Sequence, residues 1–185
     1  MKWIYVIFIL FIHVAEKDEN PTEDNAGEED DEESRPSPEL QGAVVECLGK
    51  SWPDNPETQG KVIVELVKLL SGLFEATTRA NQLTIITCLK RVMAKHQPGS
   101  NCQVLLEVGK LLAAALVVPK HSQLRSAGLE VLADLKLNDF DGQDVSDFKD
   151  EIAKSLDSVI KDLGTEALSK DRARALRKDI FGDHQ

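Results

Sequence analysis

The spacing of apolar residues constrains this chain more than any other feature. Val62, Ile63, Leu66, Val67, Leu69, Leu70, Leu73 and Phe74 follow one another at steps of three and four. That is the period of an α-helix, and the set is wider than a single seam, so the helix it predicts must be covered from two sides. The period returns in Leu83, Ile86, Leu89, Val92 and Met93, and again in Val104, Leu105, Val108, Leu111, Leu112, Ala115 and Leu116. It recurs once more in Phe148, Ile152, Leu156, Val159 and Leu163. No apolar run alternates between hairpin turns, so strands are not expected.

Breakers divide these stripes into helices. Ser37-Pro38-Glu39 reads as an N-cap, a first-turn proline and an acid at the positive helix end. Val44, Cys47 and Leu48 then form the inward face, up to Trp52-Pro53. Asn55-Pro56-Glu57 opens a second helix. A third runs from about Arg79 to Lys95 and ends at Gln97-Pro98-Gly99-Ser100. A fourth spans about Asn101 to Val117 and is closed by Pro119. The fifth, from about Ser122 to Leu135, has Leu124, Ala127, Val131, Leu132 and Leu135 inward and Arg125 and Glu130 outward. After a polar break at Asn138 to Gly142, a sixth helix covers about Val145 to Leu163. Gly164-Thr165-Glu166 makes a turn and cap. The last helix reaches about Phe181, with Leu168, Ala175 and Leu176 inward. Helix starts recur roughly every 20 residues and pairs roughly every 40, which is the period of HEAT and armadillo arrays. The expected architecture is all-α: a HEAT/armadillo-like α-solenoid fragment of about seven helices in antiparallel pairs, over residues 39–185 with a sub-break near 138–143.

The net charge of −10 arises in one place. Residues 16–34 hold eleven Asp or Glu and one Lys, whereas from Arg35 onward 20 basic side chains face 21 acidic ones. The helical part is balanced and lacks the clustered basic excess of a nucleic-acid footprint. Residues 16–38 contain Pro21, Pro36 and Pro38 but no Ile, Leu, Val or aromatic residue, and are expected to be an acidic disordered tail. Residues 1–15 begin with Lys2 and an apolar run from Trp3 to Ile12, shorter than the roughly 20 residues a spanning helix needs. The run has the form of a signal segment, but His13 stands where a small residue is wanted before Ala15. Two readings follow: a genuine targeting or membrane-tethering segment, or one foreign to the fold. The odd number of cysteines (Cys47, Cys88 and Cys102) and the proline in Asn20-Pro21-Thr22 favour a reducing setting.

Chemistry-bearing patterns do not survive close reading. Asp139-Phe140-Asp141-Gly142-Gln143-Asp144 suggests a calcium loop, yet Leu137 and Phe148 fall where oxygen ligands are required. Gly109-Lys110 resembles the end of a phosphate loop, but Val104 and Leu111 occupy positions that need glycine and Ser or Thr. His96 and Cys102 flank a Pro-Gly turn without an orienting third group. His13, His96, His121 and His184 are far apart and fit no zinc spacing. No catalytic residue, cofactor or metal is assigned. The remaining candidates are Lys170, Arg174, Arg177 and Lys178 on the last helix, as a basic face for an acidic partner or for the chain's own tail.

Three segments carry a family resemblance: Leu48-Gly49-Lys50-Ser51-Trp52-Pro53 with Glu57-Thr58-Gln59, then Gln123-Leu124-Arg125-Ser126-Ala127-Gly128-Leu129-Glu130-Val131-Leu132, then Lys170-Asp171-Arg172-Ala173-Arg174-Ala175-Leu176. From Pro38 onward the chain resembles the C-terminal end of the proteasome adapter and scaffold family, very long HEAT-repeat proteins that associate with the proteasome. The resemblance implies a non-enzymatic scaffold of cytoplasm and nucleus with protein partners, the proteasome among them. It carries over no active-site residue.

Overall fold

The computed structural model describes residues 37–95, 102–135 and 143–181. The apolar start, the acidic segment up to residue 36, the Pro-Gly turn at 97–100 and the polar break at 138–142 lie outside these residues, as does the side chain of Cys102. Seven helices are described: α1 Pro38–Lys50, α2 Pro56–Ala76, α3 Arg79–Lys95, α4 Cys102–Val117, α5 Ser122–Asp134, α6 Gln143–Lys161 and α7 Ala167–Phe181. Among the described residues there is no strand, and no helix is long and apolar enough to cross a membrane.

Local chemistry sets the starts. Ser37 Oγ accepts the Leu40 N–H at 3.3 Å, and Asn55 Oδ1 accepts the Glu57 N–H at 2.9 Å. Each satisfies a donor that a helix N-terminus leaves without an intrahelical partner. His121 caps α5: its Nδ1 accepts from Leu124 N at 3.4 Å, which leaves Nε2 to donate to Arg79 O at 3.2 Å. Before it, Lys120 takes the left-handed conformation (φ 57°) in the turn after Pro119.

The helices stack in two layers. α1, α3, α5 and α7 pack in sequence as one layer, and α2, α4 and α6 as the other. In the first layer, Asn81 Nδ2 donates to Pro38 O (2.7 Å) at one end of the α1–α3 pair, and Lys95 Nζ donates to Trp52 O (3.1 Å) at the other. Arg79 O meets His121, and Lys90 meets Glu130. Arg125 meets Thr165, and Glu130 meets Arg172. Starts lie by starts and ends by ends, so these helices are parallel, and all six contacts join residues 40 to 43 positions apart. Because α1 and α3 begin at the same end, α2 must carry the chain back between them. This is the antiparallel pairing and period expected of a solenoid.

Between the layers lies a continuous apolar core. Ile63, Leu66, Val67 and Leu70 of α2, Ile86, Leu89 and Val92 of α3, and Val104, Val108 and Leu112 of α4 are fully buried. Each such side chain contributes roughly 1.5–3 kcal/mol relative to exposure. Several expected faces are shifted. In α1 the inward residues are Val45, Leu48 and Gly49, while Cys47 is exposed. A Cβ on Gly49 would stand 3.0 Å from Cys88 Cα, so the backbones of α1 and α3 approach through the glycine. Ile85 and Cys88 join the buried face of α3, which is enclosed by α1 and α5 as well as by the other layer. Burial pushes the Cys88 thiol up to about 12, so it is a core side chain that stays protonated.

Leu163 and Leu168 are corrections of a different kind: both point outward, at 96% and 80% exposure. α6 stops at Lys161, and Asp162 turns the chain by accepting the Gly164 N–H at 3.0 Å, which swings Leu163 out of the stripe. In α7 the inward face is Ser169, Ala173 and Leu176; Ala175 is exposed. Small residues face inward there because α7 packs against both α5 and α6.

In the second layer α4 and α6 meet at Gly109, where an added Cβ would overlap the Phe148 ring. Gly109→Ala is therefore expected to lower stability by about 1–3 kcal/mol through overpacking. Gly72→Ala, with nothing within 4 Å of the added methyl, is expected to raise it by about 0.5–1 kcal/mol through helix propensity. Urea unfolding midpoints of the two variants check the pair.

Candidate functional site

Among the described residues, polar side chains gather on the surface of α7 and where the α4–α5 and α6–α7 turns meet.

On α7, Arg174 pairs with Asp171 at 2.6 Å, both exposed. Arg177 reaches back to Asp157 of α6 at 2.6 Å. Arg172 joins Glu130 of α5 at 3.3 Å, and Glu130 also receives Lys90 of α3 at 2.8 Å. Lys90 first, and then Arg172, hold the Glu130 carboxyl below the usual carboxylate range. Lys170 is half-buried and Lys178 exposed. Arg174 and Arg177 are thus engaged within the chain, and Lys178 also has a partner there. Exposed pairs of this sort contribute about 0–1 kcal/mol each and are weakened by salt.

The turns hold a residue the sequence reading placed wrongly. Arg125, expected on the outward face of α5, is 4% exposed. Its Nη1 donates to Thr165 Oγ1 at 2.7 Å, and its Nη2 donates to Val118 O at 3.1 Å and pairs with Asp162 at 3.0 Å. Thr165 Oγ1 in turn donates to Asp162 Oδ2 at 2.9 Å. A buried guanidinium is stabilised only when its charge and donors are met. Here a carboxylate, a hydroxyl and a turn carbonyl converge on it from two loops. The Gly164 N–H, the Thr165 hydroxyl and then Arg125 and Lys170 hold the Asp162 carboxyl below its ordinary range. A hint was available in the sequence: Arg125 stands one residue after an inward Leu124, near the cap, where a long side chain can bend around the end of the helix toward the next turn.

Beside this cluster lies an open cleft of about 450 Å³. Leu116, Val117 and Pro119 form one wall, and Ser158, Val159, Lys161 and Asp162 the other, with Arg125 between them. Among the described residues no three His, Cys, Asp or Glu side chains are grouped so as to hold a metal ion. His96 and the side chain of Cys102 lie outside those residues. Comparison with family models finds no match, and comparisons with curated proteins and with solved structures find none either.

Removing the guanidinium leaves Thr165, Val118 and Asp162 without their shared donor. Hydrogen bonds to charged groups contribute about 1.5–3 kcal/mol, and because Asp162 is partly solvated the lower part of that range applies. Arg125→Met is expected to cost about 2 kcal/mol, read from urea unfolding. Because the folded pKa of Asp162 lies below its unfolded value, its contribution is complete above the ordinary carboxylate range and is lost as pH falls through the folded pKa. Asp162→Asn should therefore unfold with a shallower pH dependence on the acid side than the parent, followed by circular dichroism.

Proposed function

We propose that this chain is a non-enzymatic scaffold module whose helical-repeat surfaces bind other proteins, related to the C-terminal repeats of the proteasome adapter and scaffold family and acting in cytoplasm and nucleus. The observation that carries this reading is the repeated register: parallel helices joined every 40 to 43 residues, in two layers around one apolar core. Such stacks offer extended surfaces rather than enclosed clefts, and their usual use is to hold partners.

The three segments behind the resemblance occupy packing positions, which supports treating them as repeat signatures. Gly49 seats α1 on Cys88, and Trp52 is buried beside Lys95. Leu124, Arg125, Gly128, Leu129, Val131 and Leu132 form the buried face of α5. Ala173 and Leu176 anchor α7.

A tagged chain expressed in cells and isolated under mild salt is expected to enrich proteasome subunits about tenfold over a tag-only control, measured by quantitative mass spectrometry; tenfold corresponds to 1.4 kcal/mol of preference. No enrichment overturns the family-specific reading. The run from Trp3 to Ile12 favours a second reading, an exported or membrane-tethered binding protein. Mass spectrometry of the mature N-terminus decides it, since an intact Met1 with no membrane fractionation removes that alternative.

A further inference from the structure

From α3 onward, each first-layer helix follows a second-layer helix that packs against it: α2 before α3, α4 before α5 and α6 before α7. Among the described residues α1 has no such predecessor. The repeat register shows which side chains that leaves uncovered. Displaced by 41 residues, Leu40, Val44 and Cys47 of α1 correspond to Asn81, Ile85 and Cys88 of α3. On α3 this side meets α1, since Asn81 donates to Pro38 O and Cys88 lies against Gly49. On α1 the same side is open: Leu40 is 54% exposed, Cys47 is exposed and Val44 is half-buried. Exposed Ala43 completes an apolar stripe at three- and four-residue steps, apart from the charged Glu39, Glu46 and Lys50.

The second layer is open at the same edge. Displaced by 42 residues, Val62, Leu69 and Leu73 of α2 correspond to Val104, Leu111 and Ala115 of α4. At about 100° per residue, those α4 residues lie roughly 200–240° around the helix from Gly109. Gly109 faces α6, so they face α2, and all three are buried. Their α2 equivalents are only half-buried. The opposite edge is closed by charge, with Asp171, Arg174 and Lys178 exposed on α7, as a terminal repeat requires.

We propose that the apolar segment Trp3–Ile12 of the same chain docks on this open edge, along the α1 stripe and against Val62, Leu69 and Leu73 of α2. Chain order places residues 1–36 directly before α1, where the alternation of layers leaves a neighbour missing. Trp3–Ile12 supplies ten consecutive apolar residues, whereas residues 16–36 contain no Ile, Leu, Val or aromatic residue. The connecting residues 13–36 reach roughly 27 Å as a flexible linker, and farther when charged. α1, with 13 residues, is about 20 Å long, so every part of the edge is within reach. Tethering also gives the segment an effective concentration in about the millimolar range, ahead of a free competitor such as a second copy.

The test reads the Cys47 thiol, which lies in the stripe, by pulsed iodoacetamide labelling of the native full chain and peptide mass mapping. Docking is expected to slow labelling at least about tenfold relative to an Ile7→Asp/Ile9→Asp variant, whose segment would have to bury charge. Those two positions lie outside the described helices, so the circular dichroism spectrum should be retained. Leu40→Glu, on the receiving side, should release Cys47 to a similar extent. Leu168→Glu, on α7, should leave the slow rate unchanged. Equal labelling of the parent and the Ile7→Asp/Ile9→Asp variant overturns the proposal. Protection that grows with protein concentration, together with a doubled mass in light scattering, seats a second copy on the edge and overturns it as well.

Discussion

A helix whose apolar residues wrap more than half its circumference cannot be satisfied by a single neighbour, and this constraint shapes the molecule. α3 and α4 are each covered by the helices two steps before and after them as well as by the opposite layer. Stacking of every second helix is the arrangement that covers such faces without a central axis. It propagates one repeat at a time, so stability is close to a sum of repeat and interface contributions. Glycines set how closely the helices approach: Gly49 against Cys88 in one layer, Gly109 against Phe148 in the other.

Apolar packing would tolerate small shifts along the helix axes, whereas polar contacts between repeats do not. Asn81 to Pro38, His121 to Arg79 and Arg125 to Thr165 tie the starts of successive parallel helices together at one edge of the layer. Of these, the Arg125 cluster is the most buried. Its guanidinium spans the α4–α5 turn and the α6–α7 turn, so the direction in which α7 leaves α6 is coupled to α5. The Lys90–Glu130–Arg172 chain links α3, α5 and α7 at the surface. A buried ion cluster contributes less to net stability than to fixing one arrangement among several of similar packing energy.

The same accounting separates surface that is committed to the fold from surface that is available. Much of the cationic character of α7 is spent on Asp171, Asp157 and Glu130. Among the described residues Lys161, beside the half-exposed Val117, has no ion pair. Electrostatic complementarity at such a place selects partners and speeds encounter more than it adds affinity.

Among the described residues, the number of helices, most of their limits and the period of the array were legible in the residues, because capping, proline placement and three-to-four spacing are local effects. Ser37, Asn55 and Pro119 mark boundaries by chemistry contained within a few neighbours. The faces at the ends of the array were not legible. Leu168 and Ala175 satisfy the pattern of an inward stripe as well as Ser169, Ala173 and Leu176 do, and only the close approach of α5 and α6 selects the small residues. Arg125 shows the limit most clearly: an arginine on a helix reads as outward until Thr165 and Asp162, some 40 residues later in the chain, are brought against it. Burial of charge depends on partners that only the stacked repeats bring together, so the cleft and its unmatched donors were decided by the tertiary structure alone.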